Sequence, residues 1–369
     1  MIAVAAKELS STEIDREFAD LEKELSLIGL ISIDDPVRNG VKETLELAQK
    51  AGVRTIMVTG DHPQTAVAIA KAIGIPTTKI VIGSELTAMT AEEIQQIVKE
   101  VSIFARSTPE NKYQLLTALQ QNGEVVAVTG DGVNDTLALK GANIGIAMGI
   151  KGTDAAKEAA DVVLADDNYN TVAHAIFEGR KIFDNLRKGF GYYLSAKTAL
   201  VLTFLLPVVL NTPFPFAPVQ IILLELFMDL AASAGFVAEP AKKTIFKKAP
   251  RKANEKFVNA QMLKNIITSD VSLFVAVIAS YLYALSKKFP LIEAQTYAFS
   301  AWIIGHVILA FVSRSEKEPL YSLGVCSNRA INIWALCAFV FLILATQLPV
   351  LNSQLRLYPI SLGQLLPWP

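Results

Sequence analysis

Val128-Thr129-Gly130-Asp131-Gly132-Val133-Asn134-Asp135 crowds two carboxylates, an amide and two glycines onto the end of the apolar, β-branched run Glu124-Val125-Val126-Ala127-Val128-Thr129. The run predicts a strand, which puts Asp131 and Asp135 at its carboxyl edge, in the turn that opens the next helix. Ligands of open α/β sheets bind at that edge. Aspartates held together on a tight glycine turn repel each other unless a cation joins them, and a hard divalent ion such as Mg2+ takes carboxylate oxygen, water and phosphate. A plain Asp/Gly-rich surface turn is the bland alternative, and the ordered octet is far more specific than that.

An upstream echo supports the same reading. Arg54-Thr55-Ile56-Met57-Val58-Thr59-Gly60-Asp61 is a second β-rich run ending in Val-Thr-Gly-Asp, and it enters a predicted helix from Pro63 to Ile73. Two parallel strands with such ends bring backbone N–H groups and helix N-termini to one point, which favours phosphate. Between them Ser102-Ile103-Phe104-Ala105-Arg106 reads as a short strand, followed by Pro109 and Lys112. By itself Lys112 is an ordinary solvated helix charge. Between two acidic turns, Arg106 and Lys112 are placed to neutralise a transferring phosphoryl group.

Asp35-Pro36-Val37-Arg38, Thr59-Gly60-Asp61, Arg106 with Pro109 and Lys112, and Thr129 to Asp135 resemble, in order and spacing, the second half of the phosphorylation domain of P-type ATPases. The likeness continues through Ile144-Gly145-Ile146-Ala147-Met148-Gly149 and Val163-Leu164-Ala165-Asp166-Asp167-Asn168. The resemblance implies an α/β Rossmann-like, haloacid-dehalogenase-like cytoplasmic domain followed by an α-helical transmembrane bundle. It also implies that an aspartate takes the γ-phosphate of ATP and that release of the phosphate drives ion movement. On that likeness Thr59, Gly60, Lys112 and Asn134 hold the phosphoryl group, with Asp61 beside them. Asp131 and Asp135 hold Mg2+, and Arg38, Asp61 and Arg106 face the nucleotide.

The family's nucleophile lies in an Asp-Lys-Thr-Gly-Thr string that these 369 residues do not contain. Its Thr-Gly-Glu and Pro-Glu-Gly motifs are absent too. The chain therefore reads as the C-terminal portion of a pump, inactive by itself. Residues 1–34 would close the nucleotide-binding domain and hinge, 35–170 the phosphorylation domain, 171–190 a stalk helix, and 191–369 the membrane domain. The expected partners are the missing N-terminal half, membrane lipid and a transported cation, not nucleic acid.

Composition fits a chain half in water and half in lipid. Hydrophobic residues make up 52% and mean hydropathy is +0.38, too apolar for an ordinary soluble protein. Both cysteines, Cys326 and Cys337, match no metal or disulfide pattern. Five spans are expected, near Gly191–Leu210, Val219–Ala238, Ile266–Leu285, Tyr297–Ser313 and Ile331–Val350. Basic loops stay inside: Arg180, Lys181, Arg187 and Lys188 before the first span, Lys242, Lys243, Lys247, Lys248, Arg251 and Lys252 after the second, and Arg314, Lys317 and Arg329 after the fourth. The expectation is an integral protein of a prokaryotic plasma membrane with its catalytic part cytoplasmic.

Ionisable residues within spans mark ion pathways. Glu225 and Asp229, four apart, share a helical face, and their surroundings resemble the sixth helix of calcium and related pumps, with Met228 in place of a hydroxyl residue. The first span offers Ser195, Lys197 and Thr198, with apolar Leu200 and Val201 where calcium pumps have an acid. Lys197 either pairs with Glu225 or Asp229 as a built-in counter-charge, or snorkels to the interface. Calcium, another cation, a proton or potassium all remain open as cargo. His306, alone in its span, reads as hydrogen-bonded packing. From Asn170 through Leu206 no proline intervenes, so one long helix is expected, bent or ended by Pro207. The alternatives are a membrane-anchored haloacid-dehalogenase-type phosphatase, with Asp34 or Asp35 as nucleophile, and a non-catalytic subunit of a split pump.

Overall fold

The computed structural model describes residues 2–8, 22–23, 25–32, 36–241, 249–251, 255–315 and 324–360. Asp34, Asp35, Lys242, Lys243, Lys247, Lys248, Lys252 and Lys317 lie outside them. The chain divides into two compact units, one of Met1–Glu46, Thr55–Asn122 and Val126–Asn170, the other of Leu47–Arg54, Gly123–Val125 and Thr171–Pro369.

The first unit opens with an antiparallel pair, β1 (Ile2–Ala6) and β2 (Ser26–Ile31). After α1 (Val41–Lys50) it alternates strand and helix: β3 (Met57–Val58), α2 (Pro63–Ile73), β4 (Ile80–Ile82), α3 (Gly83–Ala88), α4 (Ala91–Glu100), β5 (Ile103–Ala105) and α5 (Pro109–Gln121). The alternation continues through β6 (Ala127–Gly130), α6 (Thr136–Gly141), β7 (Ile144–Met148), α7 (Asp154–Ala159) and β8 (Val162–Leu164). Such alternation makes parallel sheets, and two are present, in the orders β3-β5-β4 and β6-β7-β8. The central strand β5 is wholly buried, and its period-2 pleat divides the core. Phe104 packs with Val81, Leu86, Ile94 and Val98 on one face, while Ile103 and Ala105 pack with Leu45, Ala66, Ala70 and Ile73 on the other.

Both motif-bearing strands are edges. Among the described residues β3 pairs only with β5, and β6 only with β7. Along β6 both Ala127 and Thr129 are exposed, as is Val125 just before it. Parallel strands normally lie buried with neighbours on both sides. The helix after β3 begins where predicted, α2 starting at Pro63 and ending on Gly74 at φ 85, and α5 starts at Pro109 behind the N-cap Thr108. The Thr108 hydroxyl accepts from Asn111 N–H, while the Asn111 side chain accepts from Thr108 N–H, a reciprocal lock that fixes Lys112 in the first turn.

The second unit holds five helices long and apolar enough to cross a membrane: α8 (Asn170–Leu210), α9 (Pro218–Val237), α10 (Ala260–Ser286), α11 (Leu291–Val312) and α12 (Arg329–Gln347). A short α13 (Pro349–Leu355) follows. All five fall on the predicted spans, with α8, α10 and α11 starting earlier. Of the two effects expected of Pro207, bending or ending α8, it does not end the helix, because it lies in the last turn, where few downstream bonds are lost. The stop comes at Asn211, in left-handed conformation at φ 54, with Thr212 N–H returning to the Pro207 carbonyl. At 41 residues α8 is about 60 Å long. Within α9, Leu224–Leu230 widens into a π-helix. Two of its carbonyls are taken by side chains from other helices, Met228 by the Tyr192 hydroxyl at 3.0 Å and Phe227 by the Trp334 indole at 3.0 Å. This satisfies backbone groups that water cannot reach in lipid.

Arg314, counted above among the basic loop residues, is fully buried. Its Nε meets both oxygens of Glu239 at 3.1 Å, its Nη1 donates to the Val325 carbonyl at 2.9 Å, and Asn328 donates to Glu239 Oε2 at 2.6 Å. Arg314→Ala leaves that carboxylate buried and unpaired, and should cost about 3–5 kcal/mol. Arg314→Met combined with Glu239→Leu should lose far less, as checked by denaturant unfolding of the detergent-solubilised chain.

Candidate functional site

Hydrogen bonds lace the turn after β3 to the turn after β5. Thr59 N–H donates to the Phe104 carbonyl at 2.9 Å, Ser107 N–H donates to the Thr59 carbonyl at 2.9 Å, and Arg106 N–H donates to the Asp61 carbonyl at 3.0 Å. Within the first turn Asp61 N–H donates to Thr59 Oγ1 at 3.1 Å. Arg106 takes φ 51, a left-handed conformation uncommon for a non-glycine residue, and keeps its side chain exposed. A Cβ at Gly60 would find only the Ser107 carbonyl, at 3.9 Å. Packing therefore does not require glycine there, and its absent side chain leaves open space above the turn.

Lys112, one turn into α5, reaches the turn after β6. Its Nζ lies 2.5 Å from Asp135 Oδ1, and Asp135 Oδ2 accepts from the N–H groups of Asp131 at 3.3 Å and Gly132 at 3.4 Å. Asp135 is 9% exposed, so its carboxylate works under the loop and not in solvent. Gly130 makes the room: a Cβ there would stand 2.5 Å from Asp135 Cβ. Asp131 and Asn134 face outward. The backbone carbonyl of Asp131 accepts from Thr153 N–H at 2.9 Å, which ties the loop to the start of α7. Thr59, Gly60, Asp61 and Arg106 thus form one laced pair of turns. Through Ser107 and α5 that pair connects to Lys112 and the Asp131–Asp135 turn.

The two aspartates expected at Mg2+ differ. Both Asp135 oxygens are engaged by protein donors, whereas Asp131 presents a free carboxylate. One carboxylate beside phosphate and water oxygens is a donor set that suits Mg2+. Arg38 is engaged elsewhere, donating from Nη1 to the Asp167 carbonyl. Asp167, buried at 3% exposure, receives Ile150 N–H at 2.9 Å and Lys151 N–H at 2.8 Å on its side chain. Burial by itself would raise the Asp167 carboxyl. The N–H groups of Ile150, Lys151 and Gly149, with the Arg38 charge, outweigh it and hold the group below the usual carboxylate range.

In the second unit, α8, α9 and α11 bring ionisable groups together. Lys197 Nζ lies 2.5 Å from Glu225 Oε1 and 2.8 Å from Asp229 Oδ2, so its amine turns to the carboxylates instead of snorkelling away. His306 Nε2 lies 3.0 Å from Asp229 Oδ1. Thr198 is not part of the group, since its hydroxyl donates to the Leu194 carbonyl of its own helix at 2.9 Å. Met228 packs in the core. Sequence reading did not connect His306 to Asp229, because the contact crosses between helices distant in the chain and leaves no spacing signal. Among the described residues no cluster of three or more His, Cys, Asp or Glu side chains is arranged to hold a metal ion.

Comparison with known proteins matches both units. Residues 5–143 and 111–176 match two family models described as haloacid dehalogenase-like hydrolase, and residues 213–368 match the family model for the cation transporting ATPase C-terminus. The human calcium-transporting ATPase type 2C member 1 is 34% identical over 93% of this chain and 38% of its own length. Calcium-transporting ATPase 1 of Bacillus cereus is 32% identical over 98% and 42%, and the calcium-transporting ATPase of Bacillus subtilis 36% identical over 86% and 36%. A haloacid dehalogenase-like domain followed by membrane helices is the class these units define. The chain belongs to the P-type cation-transporting ATPases, and it spans about two fifths of the length of the curated relatives it matches.

The Asp167 clamp has a pH signature. Its carboxyl is lowered in the folded state, so its stabilisation is complete above the unfolded value of about 3.9 and is lost as pH falls through the lower folded value. Asp167→Asn should destabilise the first unit at neutral pH and flatten its stability profile below about pH 4. Proteolytic susceptibility measured across acid pH checks both effects.

Proposed function

We propose that this chain carries the phosphoryl-binding edge and the membrane ion site of an ATP-driven cation pump working through an aspartyl phosphate. The observation that carries the reading is the Lys112–Asp135 contact, which joins the turns after β5 and β6 at the carboxyl edge of parallel strands. Lys112 neutralises the transferring phosphoryl group, while Thr59 and the open backbone at Gly60 receive its oxygens and Asn134 donates from the facing turn. Asp131 is the carboxylate for Mg2+; Asp135 positions Lys112 and the loop. Mg2+ would supply charge neutralisation of the phosphate oxygens. Asp61 and Arg106 border the nucleotide, and Arg38 acts at a distance by holding Asp167.

The nucleophile comes from a strand outside these residues. β3 and β6 are both edges, their turns are already linked, and one parallel strand entering between them would give each its missing neighbour and place a carboxylate among Thr59, Lys112 and Asp131. The cargo is a cation taken at Glu225 and Asp229, with Lys197 as an internal counter-charge. The relatives named above are calcium-transporting ATPases, and this chain's own ion chemistry must answer to the lysine in its site. The long α8 couples the two ends as a tilting rod in the membrane of a cell whose cytoplasm holds the catalytic unit.

Co-expression with a segment bearing Asp-Lys-Thr-Gly-Thr, followed by labelled ATP, should give a hydroxylamine-labile acyl phosphate on that segment. Lys112→Met should lower its yield by about 10²–10³-fold. The chain alone should stay unlabelled. Labelling of the lone chain from a phosphomonoester would make it a phosphatase, and an unlabelled complex would refute the pump reading. Two glycines inserted between Phe183 and Asp184 should leave acyl phosphate formation in place and abolish transport; unchanged transport would overturn the rod.

A further inference from the structure

We infer that the loop between α8 and α9 is the outer plug of the membrane ion site, with Phe216 sealing a path that passes Trp302 and ends at His306 and Asp229. The inference rests on Glu225 and Asp229 being the cargo site. It begins with the sequence of the loop, Asn211-Thr212-Pro213-Phe214-Pro215-Phe216-Ala217-Pro218, where three prolines punctuate two phenylalanines. Each proline fixes its own φ and holds the residue before it extended, so the segment is stiff and moves as one piece. Its ends are bends: Asn211 is left-handed at φ 54, and Ala217 is extended at the N-cap of α9, with Pro218 opening the helix. The loop joins α8 and α9 at the ends opposite their basic flanks, which puts it outside by the positive-inside rule.

Packing turns this loop inward. Phe214 is 50% exposed, while Phe216, two residues on, is 2% exposed and lies within the helical core. The Phe216 ring stands edge-on to Trp302, with centroids 5.6 Å apart, and Trp302 lies 5.4 Å from His306, whose Nε2 is 3.0 Å from Asp229 Oδ1. Phe204 of α8 fills the flank, 6.0 Å from Phe216 and 5.9 Å from Phe214. Two ring contacts therefore separate a loop residue from the partner of a cargo carboxylate. Apolar rings at a constriction exclude water and hydrated ions, so this stack closes the site while Phe216 stays in place.

Three side chains pin the plug. The Tyr281 hydroxyl of α10 donates to the Pro213 carbonyl at 2.6 Å, the Gln295 amide of α11 donates to the Phe214 carbonyl at 3.0 Å, and Gln220 Oε1 of α9 accepts from Ala217 N–H at 3.1 Å. Such bonds are individually weak and water can replace them, which suits a part that must come away. Trp302 shows that the closed arrangement is not the fully satisfied one: it is 1% exposed, and its indole nitrogen has no hydrogen-bond partner among the described residues. Buried indole N–H groups ordinarily have one. Withdrawal of Phe216 would let water reach that donor, so opening recovers a hydrogen bond that closing forfeits.

The test needs neither ATP nor a second segment, so its failure registers apart from that of the pump reading. The full chain, with Cys326→Ser, Cys337→Ser and His306→Cys, is sealed into vesicles, and a charged, membrane-impermeant thiosulfonate is added to one side at a time. The expected result is slow labelling of the thiol, quickened about tenfold or more by Phe216→Ala from the side opposite the catalytic unit. Tyr281→Phe or Gln295→Leu, each removing one pin, should quicken it about fivefold. A second readout leaves His306 in place: with Trp334→Phe and Trp368→Phe, Trp302 is the sole tryptophan, and its fluorescence should resist iodide added outside until Phe216→Ala exposes it. Labelling at equal rates from both sides, rates indifferent to Phe216→Ala and to both pin substitutions, or a Trp302 signal that Phe216→Ala leaves shielded would each overturn the inference.

Discussion

The carboxylate of Asp135 holds the first unit's chemistry in place. It sits beneath the turn after β6 with one oxygen on Lys112 and the other under two backbone N–H groups, and it can do so because Gly130 has no side chain to push it out. A buried carboxylate fully engaged in this way is rigid, as the phosphoryl site proposed above requires. From it the arrangement spreads outward. Lys112 is fixed by the Thr108–Asn111 lock, Thr108 follows Ser107, and Ser107 holds the turn that carries Thr59.

The second unit is organised by the opposite use of charge. Arg314, Glu239 and Asn328 form a saturated group whose donors and acceptors are nearly all used, and such a group anchors helices. The Lys197–Glu225–Asp229–His306 group leaves buried atoms unsatisfied, on a π-helical stretch that departs from regular geometry. Departures of this kind gather where a protein acts instead of merely standing. Two ionic groups on one bundle thus differ, one with its partners saturated and one with buried atoms left over.

Much of this was legible in the residues. Strand ends marked by Thr-Gly-Asp, helices opened by Pro63 and Pro109, and apolar runs of spanning length are local signals, and each falls where the sequence puts it. What escaped depended on partners far apart in the chain. The Lys112 contact of Asp135 leaves no mark in the sequence, Arg314 reads as a loop cation until Glu239 appears beside it, and His306 reads as packing until Asp229 faces it. The π-widening of α9 has no periodic signature, because Glu225 and Asp229 share a face in either helical form. Pro207 lies only three residues before the end of α8, so whether it would end the helix there could not be read from its position alone.

The two unpaired edges also bear on the life of the polypeptide before it is finished. Short apolar strands with open N–H and C=O rows are templates for any extended segment, including a second copy of themselves. The strand proposed above to enter between them would, once paired with β3 and β6, close the sheets on itself. Made without that strand, the same edges stay adhesive. Quality-control machinery would therefore meet an orphaned chain at its sheet margins before it met the membrane helices.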